Sequence, residues 1–150
     1  MLAAVASVVG LVLQLKPKAV YAYSVREFLS RDVHEREVRV SGQLVPGTLC
    51  RVPNTCRYRF ALSDSARASD QTSDTPTLAI RYDACHLPDT VRDLPGYDLS
   101  LAVQGEACRQ CHDFRATQVI AKCGGKYEAA AYAAAPPAPP LPLCARGPDL

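Results

Sequence analysis

The chain has 150 residues, 48% of them hydrophobic and 21% charged, with 17 Lys and Arg against 15 Asp and Glu for a formal net charge of +2. That is one domain's length, and neither the near balance nor the even spread of charge supplies the basic patch that nucleic-acid binding needs. Seven cysteines are an odd number, so at least one stays outside any intrachain disulfide.

Met1 to Leu15 form an Ala/Val/Leu run broken by Ser7, Gly10 and Gln14 and closed by Lys16-Pro17-Lys18. A bilayer span needs about 20 apolar residues, a length reached if Ala19 to Tyr23 extend the run with Tyr21 and Tyr23 at the interface. Nothing basic precedes Val5, and Ala19 to Tyr23 make a poor cleavage site, so residues 1–23 read as an uncleaved membrane anchor rather than a signal peptide. The lysines oppose a periplasmic domain under the positive-inside rule, a conflict removed if the true start lies upstream. A buried N-terminal helix is the competing reading.

Ser24-Val25-Arg26-Glu27 has the capping-box pattern and predicts a short helix from Ser24 through Phe28 and Leu29 towards His34. The period then changes to two: Val38-Arg-Val40-Ser-Gly42-Gln-Leu44 reads as a first strand leading to the turn Pro46-Gly47. Tyr58-Arg-Phe60-Ala-Leu62 and Thr77-Leu-Ala-Ile80-Arg-Tyr82 give the second and third, separated by a solvated Ser/Asp/Thr loop. Leu99 to Gly105 and Phe114 to Ala121 give the fourth and fifth. Leu87, Val91 and Leu94 have helical spacing behind Pro88, which predicts a short helix between the third and fourth strands. Five strands with one helix in that place is the order of an OB-fold barrel, here an all-β domain over residues 24–127. After Tyr127 the chain turns to Ala and Pro, with six of the twelve prolines beyond Tyr132, and residues 128–150 read as a flexible tail.

The barrel leaves function open, so the residues must decide. Arg57-Tyr58-Arg59-Phe60 and Arg81-Tyr82 interleave aromatic and basic residues as single-strand binders do. Phe60, however, faces away from Arg59, and Asp64, Asp70, Asp74 and Asp83 surround the strip, which favours core aromatics with solvated arginines. His34, His86 and His112 sit in separate elements without an evident carboxylate to orient them, and no Gly-rich phosphate loop follows a strand, so neither a hydrolytic Ser/His/Asp or Cys/His arrangement nor a phosphate-binding loop is indicated.

Two cysteine groups are sharper. Cys108-Arg-Gln-Cys111-His112 has the spacing of c-type haem attachment, but at a hairpin tip, where a local disulfide, a zinc half-site or incidental thiols compete. An oxidising compartment would permit a disulfide across another tip, between Cys50 and Cys56; the pairing of Cys85 and Cys144 stays open. In Cys123-Gly-Gly-Lys-Tyr127 a thiol that can add to an activated double bond stands four residues from a phenol suited to ferric iron. A free thiol and a surface tyrosine beyond the last strand explain the same spacing.

The strand runs Val38 to Gly47, Tyr58 to Asp64, Ile80-Arg-Tyr82 with Leu87-Pro88-Asp89, Val103 to Glu106, Phe114 to Ala116 and Val119 to Tyr127 resemble those of the periplasmic haem chaperones of cytochrome c maturation, the CcmE family. The likeness spans roughly residues 20 to 128, and the chain carries the C-x-x-x-Y variant of the family's H-x-x-x-Y motif. It implies a non-enzymatic carrier of b-type haem, with Cys123 as the covalent attachment point and Tyr127 as the axial iron ligand. It also implies partners: the membrane complexes that deliver and release haem, the haem ligase, and apocytochrome c. The place implied is the bacterial inner membrane, single-pass, with the soluble domain in the periplasm. An OB module for oligonucleotide or a partner protein, and a c-type cytochrome using Cys108, Cys111 and His112, are the alternatives. Between the two cysteine groups, surroundings favour Cys123: Val119 and neighbouring strands offer an apolar platform, whereas Glu106 and Asp113 at the tip would repel haem propionates.

Overall fold

Period-two alternation builds most of the structure. The computed structural model describes residues 20–31, 37–65, 75–94, 98–107, 113–122 and 140–144, and in them every long alternating run is a strand. In chain order these are β1 (Ala22–Ser24), helix α1 (Val25–Ser30), β2 (Val38–Leu44), β3 (Cys50–Arg51), β4 (Tyr58–Ser63), β5 (Thr77–Tyr82), β6 (Ser100–Ala107) and β7 (Phe114–Lys122). The sheet runs β1-β2-β6-β7-β5-β4-β3, and a further β2–β4 pairing closes β2, β4, β5, β7 and β6 into a five-stranded barrel. Within that ring only β5 and β7 are parallel. This is the closed Greek-key order of an OB-fold, as the strand sequence predicts.

Closure turns on Gly42. β2 pairs with β6 from Val38 to Gln43 and with β4 at Gln43 and Leu44, so the strand changes partners there. A Cβ on Gly42 would lie 2.8 Å from Val25 Cγ2 and 2.9 Å from the Ser63 carbonyl oxygen, so only glycine admits both neighbours. Val25 brings in α1. The Ser24 hydroxyl accepts from the Glu27 amide at 3.2 Å and the Glu27 carboxylate from the Ser24 amide at 3.0 Å, forming the expected capping box. The Asp64 carboxylate accepts from the Val25 and Arg26 amides at 2.9 and 3.0 Å, tying the helix start to the end of β4. Val25 and Phe28 enter the core, where the Phe28 ring meets Phe114 edge-on at 5.5 Å.

Three expectations need correction. The helix predicted over Leu87 to Leu94 is absent: the segment makes a single turn, closed by the Val91 amide on the Pro88 carbonyl at 2.8 Å. Leu87, Val91 and Leu94 are still buried, so tertiary burial explains their spacing. Asp93 accepts from the Gly47 and Leu49 amides, and Pro95 biases Leu94 away from the helical region. At the N-terminus, Ala22 and Tyr23 pair in parallel with Arg39 and Val40, so these two residues, inside the span read as anchor, form an edge strand of the sheet. Residues 1–19 lie outside the described residues, among which no helix is long and apolar enough to cross a membrane.

The third correction concerns the tail. Residues 140–144 are placed, and Leu143 bridges Arg51 in parallel. The Arg51 amide donates to the Pro142 carbonyl and the Cys144 amide to the Arg51 carbonyl, each at 2.9 Å, while Leu141 packs against the core. A Cys50–Cys144 disulfide completes the attachment, and Cys56 pairs with Cys85. The cross-tip pairing of Cys50 with Cys56 is therefore not formed. A backbone hydrogen bond contributes about 1 kcal/mol net, whereas ordering a residue's backbone costs about 1–2 kcal/mol. Two bonds and one half-buried leucine do not offset five ordered residues, so the disulfide decides this placement.

Between β6 and β7 the register shifts at Gln104/Gly105: Gln104 faces Gln118 and Gly105 faces Ala116, leaving Thr117 as a bulge whose hydroxyl donates to the Gln104 carbonyl at 3.1 Å. A Cβ on Gly105 would stand 2.0 Å from the Arg115 carbonyl oxygen. Gly105→Ala is therefore expected to cost about 3 kcal/mol or more, read as a lowered urea midpoint. Gly47→Ala, at φ +77° in open space, is expected to cost about 1 kcal/mol. Equal losses at the two positions would contradict the close approach.

Candidate functional site

The described residues hold no group of three or more His, Cys, Asp or Glu able to bind a metal ion, so the candidate surfaces are two outward faces of the barrel. On β4, β5 and β7, cross-strand register aligns Arg59, Arg81 and Arg115. Like charges directly opposite one another destabilise a sheet unless they are neutralised. Asp83 supplies the counter-charge: it is ion-paired with Arg57, with Arg115 at 3.2 Å and with Arg81 at 3.7 Å. Asp113 adds a second contact to Arg81, at 3.4 Å. The strip that resembled a single-strand binding surface is thus internally paired. Its aromatics point elsewhere: Tyr58 is buried, its ring 6.5 Å from that of Tyr82, and its hydroxyl donates to the Cys85 carbonyl.

Asp113 also changes the picture of the C-x-x-C-H tip. Cys108, Cys111 and His112 lie outside the described residues, but the flanking Asp113 is buried and paired with Arg81. It does not act as an open repelling carboxylate; of the two expected there, only Glu106 is exposed.

The second face lies on β2, β6 and β7, towards the end of β7 from which Cys123 and Tyr127 follow. Both of those residues lie outside the described residues. The strand leading to them is well fixed: Ala121 packs against the core, and Lys122 Nζ donates to Ser41 Oγ at 2.9 Å, spanning β6 to reach β2. Inward positions are Val40, Val103 and Val119, aligned in register and buried. The next row is Ser41, Ala102 and Ile120, in which Ala102 is buried and Ile120 is 39% exposed. Val119 therefore cannot serve as an outer platform, because it is in the core. The apolar side chain presented beside the end of β7 is Ile120. The same face continues to a polar group in which Arg39 donates to Gln104 at 2.9 Å and Gln104 to Glu37 at 2.8 Å.

Sequence reasoning placed Asp83 beside the strip but did not show that it pairs with Arg57, Arg81 and Arg115 at once. The signal was present in the register implied by Arg59, Arg81 and Arg115 at matching positions of three strands, which requires a carboxylate nearby.

Taken together, the strand order and the β2–β4 closure define a five-stranded OB-fold barrel. The CcmE domain model matches residues 19–130, and the chain belongs to the CcmE family. Among solved structures it is similar to the solution NMR structure of the OB-fold domain of the haem chaperone CcmE from Desulfovibrio vulgaris, at 22% identity and TM-score 0.46 over 64% of this chain and 97% of that one. It is also similar to the crystal structure of yeast Stn1 and Ten1, at 14% identity and TM-score 0.47 over 77% of this chain and 70% of that one. No curated protein matches the chain.

Partial burial pushes the Asp83 carboxyl up, but hydrogen bonds from Arg57 and Arg115 and the charges of Arg57 and Arg81 outweigh it and leave its pKa below the ordinary value. Its stabilising contribution is therefore full above the unfolded carboxyl pKa of about 3.9 and is lost as pH falls through the folded value. Asp83→Asn is expected to be less stable than wild type at pH 7, with the difference shrinking as pH is lowered below about 4. Urea midpoints across a pH series check this, and a gap independent of pH would contradict it.

Proposed function

We propose that this chain is a haem chaperone of cytochrome c maturation that carries b-type haem on the segment following β7, attached covalently through Cys123 and ligated at iron by Tyr127. The observation that carries the reading is membership of the CcmE family, whose domain model runs to residue 130 and includes both residues. The barrel supports it by fixing Lys122 and presenting Ile120 outward beside it, where an apolar side chain can meet one porphyrin face. The thiol of Cys123 supplies a nucleophile for a haem vinyl, and Tyr127 supplies a hard oxygen ligand for ferric iron. Haem is cargo here. It is received from a membrane delivery complex and passed, through a release complex and the haem ligase, to apocytochrome c.

The proposed location is the periplasmic side of the bacterial inner membrane, with residues 1–23 containing the anchor. Two disulfides, Cys50–Cys144 and Cys56–Cys85, support an oxidising compartment. A fusion of alkaline phosphatase after Leu150 is expected to be active in cells, and an inactive fusion would refute this location.

Haem staining after denaturing electrophoresis tests the carriage. Wild type and the Cys108→Ala/Cys111→Ala double variant are expected to retain covalent haem, and Cys123→Ala to lose it. The reverse pattern would move attachment to the C-x-x-C-H tip, as in a c-type cytochrome. Absence of haem from wild type would leave an OB module for oligonucleotide or protein. Tyr127→Phe is expected to keep the covalent band and lose the phenolate-to-iron charge-transfer feature in the visible spectrum; a spectrum identical to wild type would assign the axial position to another ligand.

A further inference from the structure

The two disulfides differ in what they hold. Cys56–Cys85 joins the segments flanking β4 and β5, and those strands are already paired over six residues from Tyr58/Tyr82 to Ser63/Thr77. Breaking it leaves a complete ladder. Cys50–Cys144 instead joins β3, a strand of two residues, to residues 141–144. Among the described residues the hydrogen bonds of that segment are the two to Arg51, Leu141 is half-buried, and Leu143 is 66% exposed. Cys50 and Cys144 are both only partly buried, so a small thiol can reach the bond.

We propose that Cys50–Cys144 is a latch operated by a dithiol reductant: intact, it holds residues 141–144 along the outer edge of β3, and its reduction releases them while the barrel stays closed. In the reaction a thiolate of the dithiol attacks the disulfide, forming a mixed disulfide and expelling one cysteine as thiolate. The reductant's second thiol then displaces the other cysteine and closes its own disulfide. Two electrons pass from the dithiol to the Cys50–Cys144 pair, and the two protons of the dithiol end on the two cysteines. The released state exposes the Arg51 N–H and C=O, an unpaired strand edge able to accept an extended segment. It also unties the far end of the chain that leaves β7 at Lys122. The relevance of that second effect to cargo rests on the haem-carrier reading, whereas the release does not.

Amide exchange of the full oxidised protein tests the latch. Reduction with dithiothreitol, with free Cys50 and Cys144 verified by alkylation and mass, is expected to speed exchange of the Arg51 and Cys144 amides by about tenfold or more, leaving the β4 and β5 amides unchanged. Cys144→Ser is expected to show the same pattern without reductant, which separates this bond from Cys56–Cys85. Three results would overturn the proposal: protection of Arg51 and Cys144 surviving verified reduction, protection of β4 and β5 collapsing together with the tail, or rapid exchange of the Arg51 and Cys144 amides already in the oxidised protein. Because the readout contains no haem, failure here leaves the carrier reading to its own test.

Discussion

The architecture depends on a close approach that only a missing side chain allows. At Gly42 one strand leaves β6 and takes up β4, and the two neighbours that crowd this position, Val25 and the Ser63 carbonyl, belong to the elements that the closed barrel needs most. Val25 starts the helix that enters the core. Ser63 ends the strand whose next residue, Asp64, caps that helix through two backbone amides. Closure, helix placement and capping are therefore one coupled arrangement. Once it is formed, β6 and β7 are held along their length, and the end of β7 has a fixed position.

Much of this was legible in the sequence because alternation survives wherever one face of a strand is buried. Five strands, the capping box at Ser24 and the barrel class follow from local patterns that agree with the tertiary structure. The misreadings share a cause. Leu87, Val91 and Leu94 have the spacing of a helix, but they are buried by a turn that packs as a unit, since apolar spacing reports burial rather than hydrogen bonding. β1 and β3, at three and two residues, are too short to carry a pattern and exist only because β2 and β4 present edges to pair with. The tail's composition correctly implies little capacity for burial, yet residues 140–144 are held because Cys144 meets Cys50. A disulfide over a separation of 94 residues leaves no local trace.

The candidate site divides along the same line. The C-x-x-x-Y spacing and the family likeness are properties of the chain, readable without coordinates. Which side chains accompany them on the barrel is a property of register: Val119 and Ile120 are both apolar in sequence, and only the structure shows that the first lies beside Val103 in the core while the second is exposed. Charge behaves similarly. Arg57, Arg81 and Arg115 look like scattered cations in the sequence until the strands bring them together around Asp83 as an internal ion-pair network.

The bulge at Thr117 carries a consequence for parity. Before it, the inward residues of β7 are Phe114 and Ala116, at even positions; after it they are Val119 and Ala121, at odd ones. One extra residue thus inverts the phase of the strand halfway along. Without it, the core would receive Gln118, Ile120 and Lys122 from the second half of β7, and Val119 would face water. The first half answers to the barrel core near Phe28, and the second half sets which side chains lead into the C-terminal segment. Thr117 lets one continuous strand satisfy both, so the face offered beside Lys122 is decided five residues upstream, by a side chain that takes no part in it.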